Sequence, residues 1–281
     1  MITVKTKSHH LIQRAMRNQT LKWILIHNAS LFYRAQGKLN AHFLHVSKTG
    51  GTAIKEALSN ITTTPKYKIW LHRHHIKLSD IPKGDKVFLF IRDPIDRFIS
   101  GFYSRKREGK PGHYRPWNSV EKLAFQRFRT PNELAKSLSS PDEEIRNSAF
   151  QAMHGIGHVK TFIKDWVGSE EYLLSRKEDF LFIGCQEYLN RDFETLKELL
   201  EIPPEMAKLP EDPTRAHKSP TNVDKHLDPE AVKNLLEWYE EDYEVYRTLL
   251  MLRMKILRRL GKELLTCEKW KYWKKIARKP K

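Results

Sequence analysis

Residues 41–58 read AHFLHVSKTGGTAIKEAL. An apolar run, 43–46, leads into Lys48-Thr49-Gly50-Gly51-Thr52, and a helix-forming stretch, 53–58, follows at once. The pattern predicts a strand, a tight loop and a helix. The first amides of a helix have no intrahelical acceptor, and the dipole there favours an anion. Glycine lets the backbone approach a ligand closely, and lysine adds a point charge. The loop therefore predicts a phosphate grip, although short Gly-Gly loops also join strands to helices without binding anything. It departs from the Walker A spacing, because the lysine precedes the glycines and residues 40–47 contain no glycine.

A second segment, residues 86–105, reads KVFLFIRDPIDRFISGFYSR. Its continuous apolar run, 87–91, suits a strand buried on both faces of a parallel sheet. Asp93 is a good helix N-cap and Pro94 a good first helical residue. Arg92 would sit at the C-terminal end of its strand, where open α/β sheets bind ligands. Ser100 lies two helical turns further on. Taken singly, Arg92 could pair with Asp93 or Asp96, and Ser100 could be a small packing residue.

Together the two segments resemble the sulfotransferase family, whose donor is 3′-phosphoadenosine 5′-phosphosulfate (PAPS). The resemblance assigns Lys48, Thr49, Gly50, Gly51 and Thr52 to the 5′-phosphosulfate loop. It assigns Arg92 and Ser100, eight residues apart, to the 3′-phosphate that distinguishes PAPS from ATP. The stretch from 101 to 125, then 130–135, 157–159 and 182–184, is similar to a carbohydrate-sulfotransferase-like branch. That likeness covers about residues 41–250, most loosely over 110–230, and implies a glycan or glycolipid hydroxyl as acceptor. Lys48 then stabilises charge on the leaving phosphate oxygen, as in phosphoryl transfer. A sulfuryl group carries less negative charge than a terminal phosphoryl group, so no metal is required. Asp93 and Asp96 read more simply as helix N-terminal residues.

The attacking hydroxyl calls for a general base, worth about 10²–10⁴-fold in rate. Residues 67–76, YKIWLHRHHI, supply His72, His74 and His75 between the two motifs. On a strand, His72 and His74 share one face. The resemblance favours His74 as base and places His72 second; solvated surface or a stray metal are the plainer readings. Glu56 is an outside candidate on the helix after the loop. By the same resemblance the polar loop 214–221, TRAHKSPT, offers Arg215, His217 and Lys218 to close over the nucleotide, although an exposed basic loop is the commoner case. His158 reads as a packed histidine.

Alternating strands (42–46, 67–72, 86–91, 180–184) and helices (52–59, 94–107, 131–139, 142–153, 187–200, 228–260) predict an α/β class. One domain is expected, with a central parallel sheet flanked by helices and a P-loop-like strand–loop–helix for phosphosulfate. Cys185 and Cys267 suggest no disulfide framework. No signal-peptide pattern and no run of about 18 apolar residues is present, and residues 21–33 are too short and too interrupted to span a bilayer. The sequence thus predicts a cytoplasmic enzyme.

The net charge of +17 sits at the ends. Residues 1–40 carry seven Lys/Arg and no acid; residues 251–281 carry twelve Lys/Arg and two Glu. The middle is neutral. The expected organisation is a basic N-terminal segment (1–40), a catalytic domain (41–250) and a basic C-terminal helical tail (251–281). Trp270, Tyr272 and Trp273 among lysines suit peripheral contact with an anionic membrane or polysaccharide, although a basic tail that only aids solubility fits as well. With a neutral middle, no nucleic acid partner is expected. The alternative function is a P-loop-like nucleotide kinase, or a non-catalytic nucleotide-binding protein docking to membrane or polyanion.

Overall fold

The apolar run of the opening stretch continues from the end of an inner strand of a parallel sheet. The computed structural model describes residues 19–112, 114–212, 223–265 and 267–278. In chain order these form α1 (Gln19–Ala35), β1 (Leu39–Phe43), α2 (Gly51–Ala57), β2 (Tyr67–Leu71), β3 (Lys86–Ile91) and α3 (Pro94–Lys106). There follow α4 (Ser119–Arg127), α5 (Pro131–Lys136), α6 (Glu143–Gly155), α7 (Lys164–Val167) and α8 (Glu170–Ser175). The last elements are β4 (Phe180–Cys185), α9 (Leu189–Leu199), α10 (Pro229–Trp238), α11 (Glu240–Arg259) and α12 (Lys269–Ala277).

The sheet order is β2-β1-β3-β4, with every pair parallel. The chain leaves β1 toward β2 on one side and leaves β3 toward β4 on the other. The crevice between the C-terminal ends of β1 and β3 is therefore the topological switch point, where such sheets bind ligands. Helices cover both faces, so β3 is closed off: Val87, Phe88, Leu89, Phe90 and Ile91 are all buried. This is the single α/β domain expected from the alternation of elements.

Several boundaries differ from the sequence expectation. β1 starts at Leu39 rather than 42 and its ladder ends at Phe43, with one further bond from Leu44 N to the Phe88 carbonyl at 3.0 Å. The final long helix is two helices, broken at Tyr239 (φ −102, ψ 22). The buried Tyr239 hydroxyl donates to the Val159 carbonyl at 2.9 Å, and that anchor accompanies the break. Glu240, Glu241 and Asp242 then fill the first turn of α11, where acids suit the helix dipole.

The helices α1, α4, α7 and α8 were not among those expected, whereas α12 falls within the expected helical tail. α1 closes the sheet face that presents Asn40 and His42. Its Ser30 hydroxyl and Arg34 guanidinium both reach Asp85, Arg34 at 2.6 Å, and its Lys22 pairs with Asp80 at 2.7 Å. The two cysteines correct the sequence reading outright: Cys185, at the end of β4, is disulfide-bonded to Cys267 across 82 residues of chain. That bond ties the segment before α12 to the sheet, and α12 packs on α10 with Trp273 buried.

Candidate active site

The loop after β1 and the turn after β3 meet at the switch point around a cavity of about 610 Å³, within the usual range for ligand sites. Lys48, Gly50, Gly51 and Thr52 line it from the first loop; Arg92 and Ser100 line it from the second segment. The two motifs are thus brought together. Thr49 is placed differently, since its hydroxyl turns back to the Val46 carbonyl at 3.0 Å and shapes the loop from within. Glu56 is half-buried on α2 and does not line the cavity.

Local backbone explains the residue types in the loop. Lys48 and Gly50 both adopt left-handed angles, φ 65 and φ 86. For lysine that conformation is uncommon, and such residues cluster at ligand sites. Gly51 is required by close approach: a Cβ there would lie 2.3 Å from the ring of His45. α2 is only seven residues long. Ala53 N and Ile54 N already bond the Gly50 carbonyl, at 3.1 and 3.4 Å, so the positive character of this end of the cavity rests chiefly on the Lys48 and Arg92 cations.

The charges are arranged for an anion. Burial lowers the Lys48 ammonium to about 8, with Arg92 and Arg107 adding repulsion. Neither Lys48 nor Arg92 forms an ion pair among the described residues, and the buried Arg92 Nε has no hydrogen-bond partner. Of the neighbouring carboxylates, Asp96 is committed elsewhere and Asp93 is engaged through Oδ1 alone, its buried Oδ2 having no hydrogen-bond partner. Asp93 caps α3, accepting from Ile95 N and Asp96 N at 2.9 and 3.3 Å, and burial with the nearby Asp96 raises it to about 7. Asp96 is held by Lys269 at 2.7 Å.

The histidines separate into two groups. His74 lines the cavity and its Nδ1 donates to the His45 carbonyl at 2.9 Å. That bond assigns the proton to Nδ1 and leaves Nε2 with a free lone pair. Closure of protein around the ring lowers its pKa from 6.5, against the bond to His45, with Lys55 and Lys48 adding to the fall. His72 points elsewhere. Its Nε2 meets His42 Nδ1 at 2.8 Å, and His42 Nε2 meets Asp85 at 3.1 Å, beneath α1. The strand alternation expected to unite His72 and His74 ends at Leu71, so the two side chains diverge. Arg215, His217 and Lys218 lie outside the described residues.

Four residues that sequence reasoning did not place belong to this site. His45 is buried beside His74, ring centroids 3.8 Å apart, with an unpartnered Nδ1; burial, then His74 and Lys55, push it down to about 2. His158, expected as a packed residue, lines the cavity, and burial followed by Lys48 lowers it to about 3. Arg97 is buried, donates to the Ser47 carbonyl at 3.2 Å and pairs with Asp242 at 3.3 Å, so it holds the base of the Lys48 loop. Trp166 Nε1 donates to the His74 carbonyl at 2.7 Å.

Fold and cavity together define a P-loop-like α/β protein with a cavity at its switch point that Lys48 and Arg92 line. A family model described as the sulfotransferase family matches residues 33–247. The chain belongs to that family, and its match spans the loop, the Arg92 turn and all four strands. No curated protein matched it in a sequence search.

Proposed function

We propose that this sulfotransferase moves a sulfuryl group from PAPS to a hydroxyl of a glycan or glycolipid. The observation that carries the reading is the pairing of Lys48 with Arg92 and Ser100 across one cavity. Two cations without an ion pair among the described residues, one with an orphaned buried Nε, suit a donor carrying phosphate at both ends. The glycan class of acceptor rests on the likeness of 101–135, 157–159 and 182–184 to the carbohydrate branch.

In this reading the acceptor oxygen attacks sulfur while its proton passes to His74 Nε2. The bond from sulfur to the bridging phosphate oxygen breaks, and Lys48 stabilises the charge left on that oxygen. The products are a sulfate ester and adenosine 3′,5′-bisphosphate, and His74 returns its proton to water. The engagement of Asp96 by Lys269 supports a metal-independent reaction over a kinase with Mg²⁺.

Among the described residues no helix is long and apolar enough to cross a membrane. The buried disulfide favours an oxidising compartment over the cytoplasmic one expected from the want of a signal-peptide or membrane-spanning pattern. The exposed Lys271, Lys274 and Lys275 of α12 suit peripheral contact with an anionic surface. The test is incubation with radiolabelled PAPS and a panel of glycans and glycolipids. Label should appear in an acceptor, and His74→Ala should abolish transfer while retaining bisphosphate binding. Phosphate transfer from ATP–Mg²⁺ with none from PAPS would overturn the assignment.

A further inference from the structure

The cavity wall contains one carboxylate that a polyanionic donor should not tolerate. Asp96 lines the same cavity as Lys48, Arg92 and Ser100, in the first turn of α3. Its charge is met from far away in sequence. Lys269 Nζ lies 2.8 and 2.7 Å from its two carboxylate oxygens, a separation of 173 residues. Lys269 opens α12, the part of the chain that composition marks only as a basic tail.

Three contacts hold Lys269 in place. The disulfide from Cys267 to Cys185 fixes the chain two residues before it, at the end of β4. The Tyr246 hydroxyl donates to the Cys267 carbonyl at 2.7 Å. On the other side the Lys269 ammonium lies 5.4 Å from the ring of buried Trp273. The charge of Asp96 also reaches the acids behind the cavity wall, since it helps to raise both Asp93 and Glu187.

We infer that Lys269 is a positioning residue for donor binding: it neutralises Asp96, so that the cavity presents net positive charge to the donor. The C-terminal segment is then part of the donor site, delivered by the disulfide. The inference rests on the PAPS reading of that site. It differs from a plain structural clamp in one respect. A clamp is broken equally from either side, whereas an electrostatic role is lost only when Lys269 goes and Asp96 stays.

The test is isothermal titration of adenosine 3′,5′-bisphosphate into the full chain at low salt. Lys269→Ala should weaken binding by roughly tenfold, an effect that shrinks as salt is raised. Asp96→Asn should bind at least as tightly as wild type, and the double variant should match Asp96→Asn. If Asp96→Asn weakens binding as Lys269→Ala does, the pair is a clamp and the inference fails. Unchanged binding in Lys269→Ala also overturns it. A wild-type chain that does not bind the bisphosphate would instead overturn the donor itself. Circular dichroism of each variant separates misfolding from lost affinity, and Asp96→Asn, which removes charge without volume, keeps the comparison decisive if Lys269→Ala unfolds.

Discussion

In the proposed reaction, Lys48 is the side chain on which donor binding and catalysis meet. Its ammonium is held at about 8 by burial and by Arg92 and Arg107, so it titrates where lysine ordinarily does not. His74 is pushed below 6.5 and is largely neutral near pH 7. The pH profile of kcat/KM reports the free enzyme. It should therefore rise on an acid limb below pH 6.5, as His74 loses its proton, and fall on an alkaline limb near pH 8, as Lys48 loses its own. Lys48→Arg should move the alkaline limb out of range; an unchanged limb would remove Lys48 from it. Lys48→Ala should lower kcat by about 10²–10³-fold, measured with PAPS saturating. Gly51→Ala forces a Cβ against the His45 ring and should destabilise by about 1–3 kcal/mol in denaturant titration, with weakened donor binding. Lys48, Arg92 and Ser100 were legible because their spacing is local. His45, Arg97 and Trp166 were not, because their partners stand far along the chain: His45 meets His74 29 residues on, and Arg97 meets Asp242 across 145.

At the scale of elements, the strands and the motif-bearing helices could be read from apolar runs and caps. Asp93 and Pro94 marked the start of α3 correctly, because cap and first-turn chemistry lie within four residues. The break at Tyr239 carried no Gly or Pro; its hydroxyl bond to Val159 is a tertiary event that no local pattern encodes. α1 looked like an interrupted apolar segment because its buried side carries polar residues, Lys22 and Ser30, satisfied by Asp80 and Asp85. The disulfide was illegible for a similar reason, since two cysteines 82 residues apart have no pairing signature. Replacing both cysteines by serine should lower stability by about 2–4 kcal/mol in equilibrium unfolding. It should also weaken bisphosphate binding by loosening Lys269; unaltered stability would mean the bond is not formed in solution.

For the whole molecule, the sheet order explains why two motifs some forty residues apart share one site. The chain diverges from β1 and β3 in opposite directions, and the crevice left between their ends receives both loops. The neutral middle of the chain does not make the cavity neutral. Among the described residues Lys48 and Arg92 form no ion pair, while acids such as Asp96 and Asp242 are matched by Lys269 and Arg97. The central claim is that this cavity is a cradle for a donor with phosphate at both ends. Thermal unfolding with adenosine 3′,5′-bisphosphate, against ATP–Mg²⁺ at equal concentration, tests it most directly. Bisphosphate at 100 times its Kd should stabilise the chain by about 2.7 kcal/mol, with ATP–Mg²⁺ doing less and Arg92→Ala erasing the difference. Greater stabilisation by ATP–Mg²⁺ than by the bisphosphate would contradict it.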